Sequence, residues 1–168
     1  VFPGINRERD MARTLKLVSG RETAMVWHTD TELPKGTDLV VVARDRKRLE
    51  ALAKELTEGH GVEVEVLRAD LSKKAQTAAV VERLQDEVSP IDLLVNNAGF
   101  GTHGPFVELD PDEEEREVQV NCQAVVRLCH AAAPVMLARR KGTIVNVSSL
   151  ASRAAAPHNA VYAATKAF

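Results

Sequence analysis

Cysteine is scarce. The 168 residues include two, Cys122 and Cys129, seven apart on one predicted helix. That number and spacing do not make a disulfide framework, and two reduced core thiols are the simpler reading. Charge of one sign is lacking too: 22 lysines and arginines stand against 24 aspartates and glutamates. No basic stripe argues for a nucleic-acid partner. Long hydrophobic runs are missing, and no stretch reaches the ~18 apolar residues that would span a membrane. The first twenty residues mix charges throughout, unlike a secretory signal. Repeats and low-complexity segments are absent, and no metal centre is expected. The length suits one sizeable core. Together these features point to a soluble, cytoplasmic protein.

From residue 37 onward the pattern is regular. Asp38-Leu-Val-Val-Val-Ala43 is a short apolar run suited to a strand buried on both faces. Residues 45–58 place Leu49, Leu52 and Leu56 at helical spacing, and Gly59 and Gly61 end that helix. Residues 62–67 alternate like a strand, and Ser72 could cap a helix running to about Val88. Residues 91–95 form a third strand. Pro111 precedes the acidic run 112–115, which suits the start of a helix continuing to about Arg140. Gly142 then breaks into a fourth strand over 143–147. Strands alternating with helices predict an α/β fold with a parallel sheet, and ligands in such sheets bind beyond the strands' carboxyl ends. The first 36 residues show no clear periodicity and form a poorly specified segment. Residues 37–168 form the organised domain.

Several residues after the strands carry chemistry. Tyr162 and Lys166 stand at i and i+4, on one face if residues 160–168 are helical. A lysine there would favour the tyrosinate and make the phenol a usable acid or base near neutrality. A chance pairing is the plainer reading of the two alone. Ser149 lies thirteen residues upstream of the tyrosine, where its hydroxyl could meet the same substrate oxygen. The plainer reading of Ser148-Ser149 is a cap or turn. Asn96-Asn-Ala-Gly99 follows a strand with small residues that let a ligand approach the backbone, or it is an ordinary turn. Asn121 sits on an apolar helical face with Val118, Cys122 and Val125, where it serves function or a buried hydrogen bond.

Together, these residues resemble the classical short-chain dehydrogenase/reductase family. The stretches 93–99, 142–149 and 162–166 follow in that family's order and spacing, and the similarity runs from about residue 37 to the end. The resemblance implies a Rossmann-like doubly wound parallel sheet, incomplete at both ends. It implies hydride transfer between a nicotinamide cofactor and a small-molecule alcohol or carbonyl, in a parent that forms homo-oligomers. Tyr162 would exchange the proton with the substrate oxygen, Lys166 would hold the nicotinamide ribose, Ser149 would bond the substrate oxygen, and Asn121 would anchor a water. Asn97, Ala98 and Gly99 would line the cofactor cleft, with Asp70, backed by Leu71, at the adenine edge. NAD-preferring members place a carboxylate after the second strand to bond the ribose 2′-OH. Here Ala43 and then Arg44 follow that strand, so a guanidinium can clamp a 2′-phosphate and NADP(H) is favoured over NAD(H). Arg44 also reads as the start of a solvated basic cluster with Arg46, Lys47 and Arg48.

Two departures from the family stand out. Its first strand leads into a Thr-Gly-x-x-x-Gly-x-Gly loop whose amides hold the pyrophosphate. Here Leu15-Lys-Leu-Val-Ser-Gly20 echoes the strand and first glycine, a possible degenerate copy. Residues 21–35, however, contain no glycine. An out-of-frame or decayed segment over 21–34 would explain the loss. If residues 14–18 cannot supply the first strand, the sheet is split through its centre, and the chain is unstable or inactive. The second departure is at Phe168, two residues after Lys166. The helix of the Tyr/Lys pair is then too short to hold without packing. The competing readings are a non-catalytic family member acting through helices 73–88 and 112–140, and a ketoreductase unit of a larger multienzyme.

Overall fold

The computed structural model describes residues 13–17, 36–153 and 157–168. Five parallel strands form one sheet: β1 (Arg13–Leu17), β2 (Asp38–Ala43), β3 (Val64–Arg68), β4 (Leu93–Asn96) and β5 (Thr143–Asn146). Their order is β3-β2-β1-β4-β5. The strand at the centre is therefore supplied: Leu15 stands opposite Val40 on one side and Leu94 on the other. The sheet is not split through its centre.

The apolar run in β2 is buried on both faces because helices cover both. Val40 and Val42 face a core shared with Val80 and Leu84 of α2 (Lys74–Leu84) and Leu128 of α4 (Val125–Arg139). Leu39 and Val41 face Leu49, Leu52 and Leu56 of α1 (Arg46–His60), as the three-to-four spacing of those leucines requires. Asp45 caps α1 by accepting from the Arg48 N–H. The helix runs through Gly59. Gly61 alone ends it, in the left-handed conformation at φ 66°, with its N–H on Thr57 O at 2.9 Å.

Four boundaries differ from the sequence expectations. Ser72 does not cap α2; its hydroxyl donates to Asp70 Oδ1 at 2.7 Å, and Lys73 takes the cap position without a side-chain bond. The helix stops at Leu84 rather than near Val88, where Asp86 Oδ1 accepts from the Val88 and Ser89 N–H groups and turns the chain. The strands β3 and β4 begin two residues later than the hydrophobic runs do.

The helix predicted from Pro111 is present in three pieces. The helix α3 (Pro111–Val118) opens with Pro111 in its first turn and Asp110 as cap. A π-helical segment over Gln119–Ala124 then joins it to α4, which ends at Arg139 with Arg140 left-handed. The helical run Pro111–Arg139 contains an 18-residue window of mean hydropathy 1.2, enough by length and composition alone to cross a membrane. Its residues Leu128, Ala131, Ala132 and Met136 lie in the core instead.

Gly142 turns the chain from α4 into β5 at φ 155°, and a Cβ there would lie 2.2 Å from Met136 Cγ. Both the backbone and the packing therefore require glycine. Gly142→Ala is expected to lower unfolding free energy by about 1–3 kcal/mol, measured by urea titration, because Met136 must leave its site. An unchanged midpoint would show that the turn absorbs the methyl group.

Candidate active site

The carboxyl ends of β4 and β5 bring three segments together: the loop after β4, the π-helical segment, and α5 (Ala160–Ala167). The contact is close. A Cβ on Gly99 would lie 2.9 Å from Asn121 Oδ1 and 3.1 Å from Lys166 Nζ. A Cβ on Gly101 would lie 2.7 Å from the Tyr162 ring. The loop can pass over the helix bearing the Tyr/Lys pair because both positions lack a side chain.

Asn121, 6 % exposed, is the hub. Its amide nitrogen donates to Phe100 O and to the Thr165 hydroxyl, each at 2.9 Å, and its oxygen accepts from the Phe100 N–H at 3.2 Å. It thus locks the loop to α5. The local π geometry, where the helix widens, occurs at this residue.

The short helix α5 is held from below as well. The Ser148 hydroxyl donates to Lys166 O at 2.6 Å, and Lys166 Nζ donates to Val147 O at 3.1 Å. These bonds, with burial of Thr165, answer the concern that two turns would not hold unaided. Ser149 caps the 3-10 turn Leu150–Ser152, its hydroxyl accepting from the Ala151 N–H at 3.2 Å. That is the plainer of its two readings. The turn packs on α5, but no Ser149–Tyr162 hydrogen bond joins them among the described residues.

Charge is tuned here by burial. Desolvation pulls the Lys166 ammonium below its ordinary value, while Cys122 and Glu117 pull it back up. Burial pushes the Cys122 thiol up, Lys166 opposes this, and Glu117 adds to it. Glu117, at 0 % exposed, is raised mainly by burial, although the Thr102 N–H and hydroxyl donate to it at 2.8 and 3.0 Å. Its stabilising contribution is therefore present at low pH and is lost as pH rises through the raised folded value.

The opposite edge, beyond β2 and β3, carries Arg44, Asp70 and Leu71. Burial works against the Asp70 charge, but two hydrogen bonds from Ser72, with Arg44 and Lys73 nearby, hold its carboxyl below the ordinary value. Asp70 thus stabilises the fold above its unfolded value and loses that contribution as pH falls through the folded one. Arg44 is exposed, whereas Arg46 and Arg48 pair with Glu50 and Asp45. The leucine is 8 % exposed and belongs to the core. Asn97 N–H bonds Val95 O at 3.1 Å, and Ala98 packs against the core, so the chain turns sharply after β4. The glycine-loop expectation over 20–34 lies outside the described residues. Among the described residues, no group of His, Cys, Asp and Glu is placed to hold a metal.

The sequence reading missed Glu117, Thr165, Thr102 and Gly101. The one available signal was Glu117 four residues before Asn121, a charge on the otherwise apolar face.

The family described as "short chain dehydrogenase" has a sequence model that matches residues 20–168. The chain belongs to that family. A short-chain dehydrogenase from Sphingobium yanoikuyae, solved in complex with NADPH, is 36% identical with a TM-score of 0.78, over 93% of this chain and 61% of that one. A bulky-bulky ketone specific alcohol dehydrogenase from Comamonas testosteroni is 34% identical with a TM-score of 0.83, over 95% and 65%. A different relationship covers a 42-residue stretch, 86% identical to phosphoribosylformylglycinamidine synthase subunit PurQ of Rhodopseudomonas palustris, which is 25% of this chain and 18% of that protein. In each case the chain spans less than two thirds of the relative's own length. The fold and family expectations are met: this is part of an oxidoreductase-family chain with a Rossmann-like sheet.

Proposed function

We propose that residues 43–168 are the catalytic half of an NADP(H)-dependent oxidoreductase acting on an alcohol or carbonyl, and that the chain as it stands does not retain its cofactor. The observation that carries the first clause is the convergence of Gly99, Gly101, Asn121, Tyr162 and Lys166 at the ends of β4 and β5. When bound, the cofactor supplies hydride to or from the substrate carbon. Tyr162 exchanges the proton with the substrate oxygen, Ser149 orients that oxygen, and Lys166 holds the nicotinamide ribose. Asn121 keeps the loop closed on the helix and anchors the water of the proton path.

The residues present fit the cofactor at its two ends. Gly99 lets the loop backbone pass directly against Lys166 and Asn121, and Arg44 stands exposed near Asp70, where a 2′-phosphate would be met. Arg44 and a relative solved with NADPH support NADP(H) over NAD(H). The middle does not fit: with no glycine over residues 21–35, the sequence lacks the amide cradle for a pyrophosphate.

The PurQ likeness supports a specific cause. We place its 42 residues at the amino terminus, the stretch of that length in which none of the dehydrogenase motifs falls. A strand of branched apolar residues serves any parallel sheet, so β1 and β2 satisfy the family pattern whatever their origin. Out-of-frame translation yields no 86% likeness to another protein, so a junction of two coding sequences near Val42 replaces the frameshift explanation. Two unpaired cysteines and the family suit a cytoplasmic enzyme whose complete parent is a homo-oligomer. The reading as a non-catalytic interaction module is favoured only by the missing cradle.

The test is thermal unfolding with and without NADPH. A chain whose first 42 residues are replaced by a family member's first strand, glycine loop, helix and second strand should gain about 2.7 kcal/mol of apparent stability at 100 times Kd. The present chain should gain none. Protection of the present chain would show that the cradle is dispensable, and no protection of either chain would favour the interaction module.

A further inference from the structure

Glu117 is a carboxyl group with no exposed surface, and the chemistry assigned above makes no use of it. Such burial is costly unless the group is bonded. Its Oε2 accepts two bonds from Thr102, from the N–H at 2.8 Å and from the hydroxyl at 3.0 Å. Its Oε1 lies 3.5 Å from the Thr165 hydroxyl, whose one hydrogen goes either to it or to Tyr162 O at 2.9 Å and whose oxygen accepts from Asn121. Thr102 belongs to the loop whose Gly101 lies against Tyr162, and Thr165 precedes Lys166.

We propose that Glu117 is a positioning residue that ties the loop bordering the substrate to the helix of Tyr162 and Lys166. Asn121 fixes the loop by its backbone at Phe100, so Glu117 is a second fastening two residues further on.

The experiment uses the full chain without cofactor and two variants. Amide hydrogen exchange at Thr102 reports the fastening. In Glu117→Leu the Thr102 amide should lose its protection. In Glu117→Gln, which keeps an acceptor oxygen, Thr102 should stay protected. Equal Thr102 exchange in the wild type and Glu117→Leu overturns the fastening. If Glu117→Leu does not fold, Thr102 protection in Glu117→Gln against Glu117→Ala decides the same point. NADPH protection of the loop-restored chain, measured separately, tests the cofactor reading, so failure of one does not masquerade as failure of the other.

Discussion

Tyr162→Phe, in the chain given a strand and glycine loop at its amino terminus, is expected to lower ketone reduction by about 10²–10⁴-fold, the usual contribution of a positioned acid or base. Thermal protection by NADPH should be unchanged. The phenol stands on α5 with its ring against Gly101, so the benzene ring of phenylalanine fills the same space and the loop has no reason to move. Only the hydroxyl is lost. The Thr165 hydroxyl bonds the main-chain oxygen of residue 162, a contact indifferent to the side chain. The split between turnover and cofactor binding is therefore the diagnostic. Loss of both together would mean that the ring positions the loop and that the proton is exchanged elsewhere. Retained turnover would remove Tyr162 from the chemistry. The same assay on Lys166→Met should reduce NADPH protection as well, because that side chain is assigned to the ribose and also anchors the end of β5 through Val147 O.

Most of the fold was legible because its signals are local and repeated. The β2 run is apolar from Leu39 to Ala43 since helices cover both faces, and the leucines of α1 recur at the spacing that one face demands. Boundaries were less legible. Ser72 has the composition of a cap, but Asp70 two residues earlier competes for its hydroxyl and wins. The strand β4 starts at Leu93, and Asp92 before it pairs with Arg139 and Lys141, contacts that no hydrophobic pattern reveals. At the site, the tyrosine, lysine and buried asparagine could be picked out, since each was conspicuous for its residue type or its surroundings. What Ser149 does at ground state could not be, because a cap and a substrate contact need the same hydroxyl in the same place after a strand. Glu117 was hidden for a different reason. A glutamate beside an acidic first turn reads as solvated, and only the return of Thr102 and Thr165 from distant parts of the chain buries it.

Asn121→Leu is expected to destabilise the chain by on the order of 3 kcal/mol, measured by chemical denaturation, although leucine is of similar size and the site is buried. The reason is what remains behind. The Phe100 N–H and carbonyl would both lose their partner at a place where water has little access, and each abandoned group costs about 1–3 kcal/mol. The Thr165 hydroxyl keeps Tyr162 O and suffers less. Asn121→Asp should be worse than its near-identical shape suggests. A carboxylate still accepts from the Phe100 N–H but cannot donate to Phe100 O or to Thr165, and it adds negative charge to a pocket already holding Glu117. Raising pH should then destabilise Asn121→Asp further, because both carboxyl groups lose protons that burial favours keeping. A leucine variant as stable as the wild type would show that the loop after β4 is held by Glu117 and the glycine contacts alone. In that case the amide at position 121 is there for the water and the proton path, and its loss should appear in turnover rather than in folding.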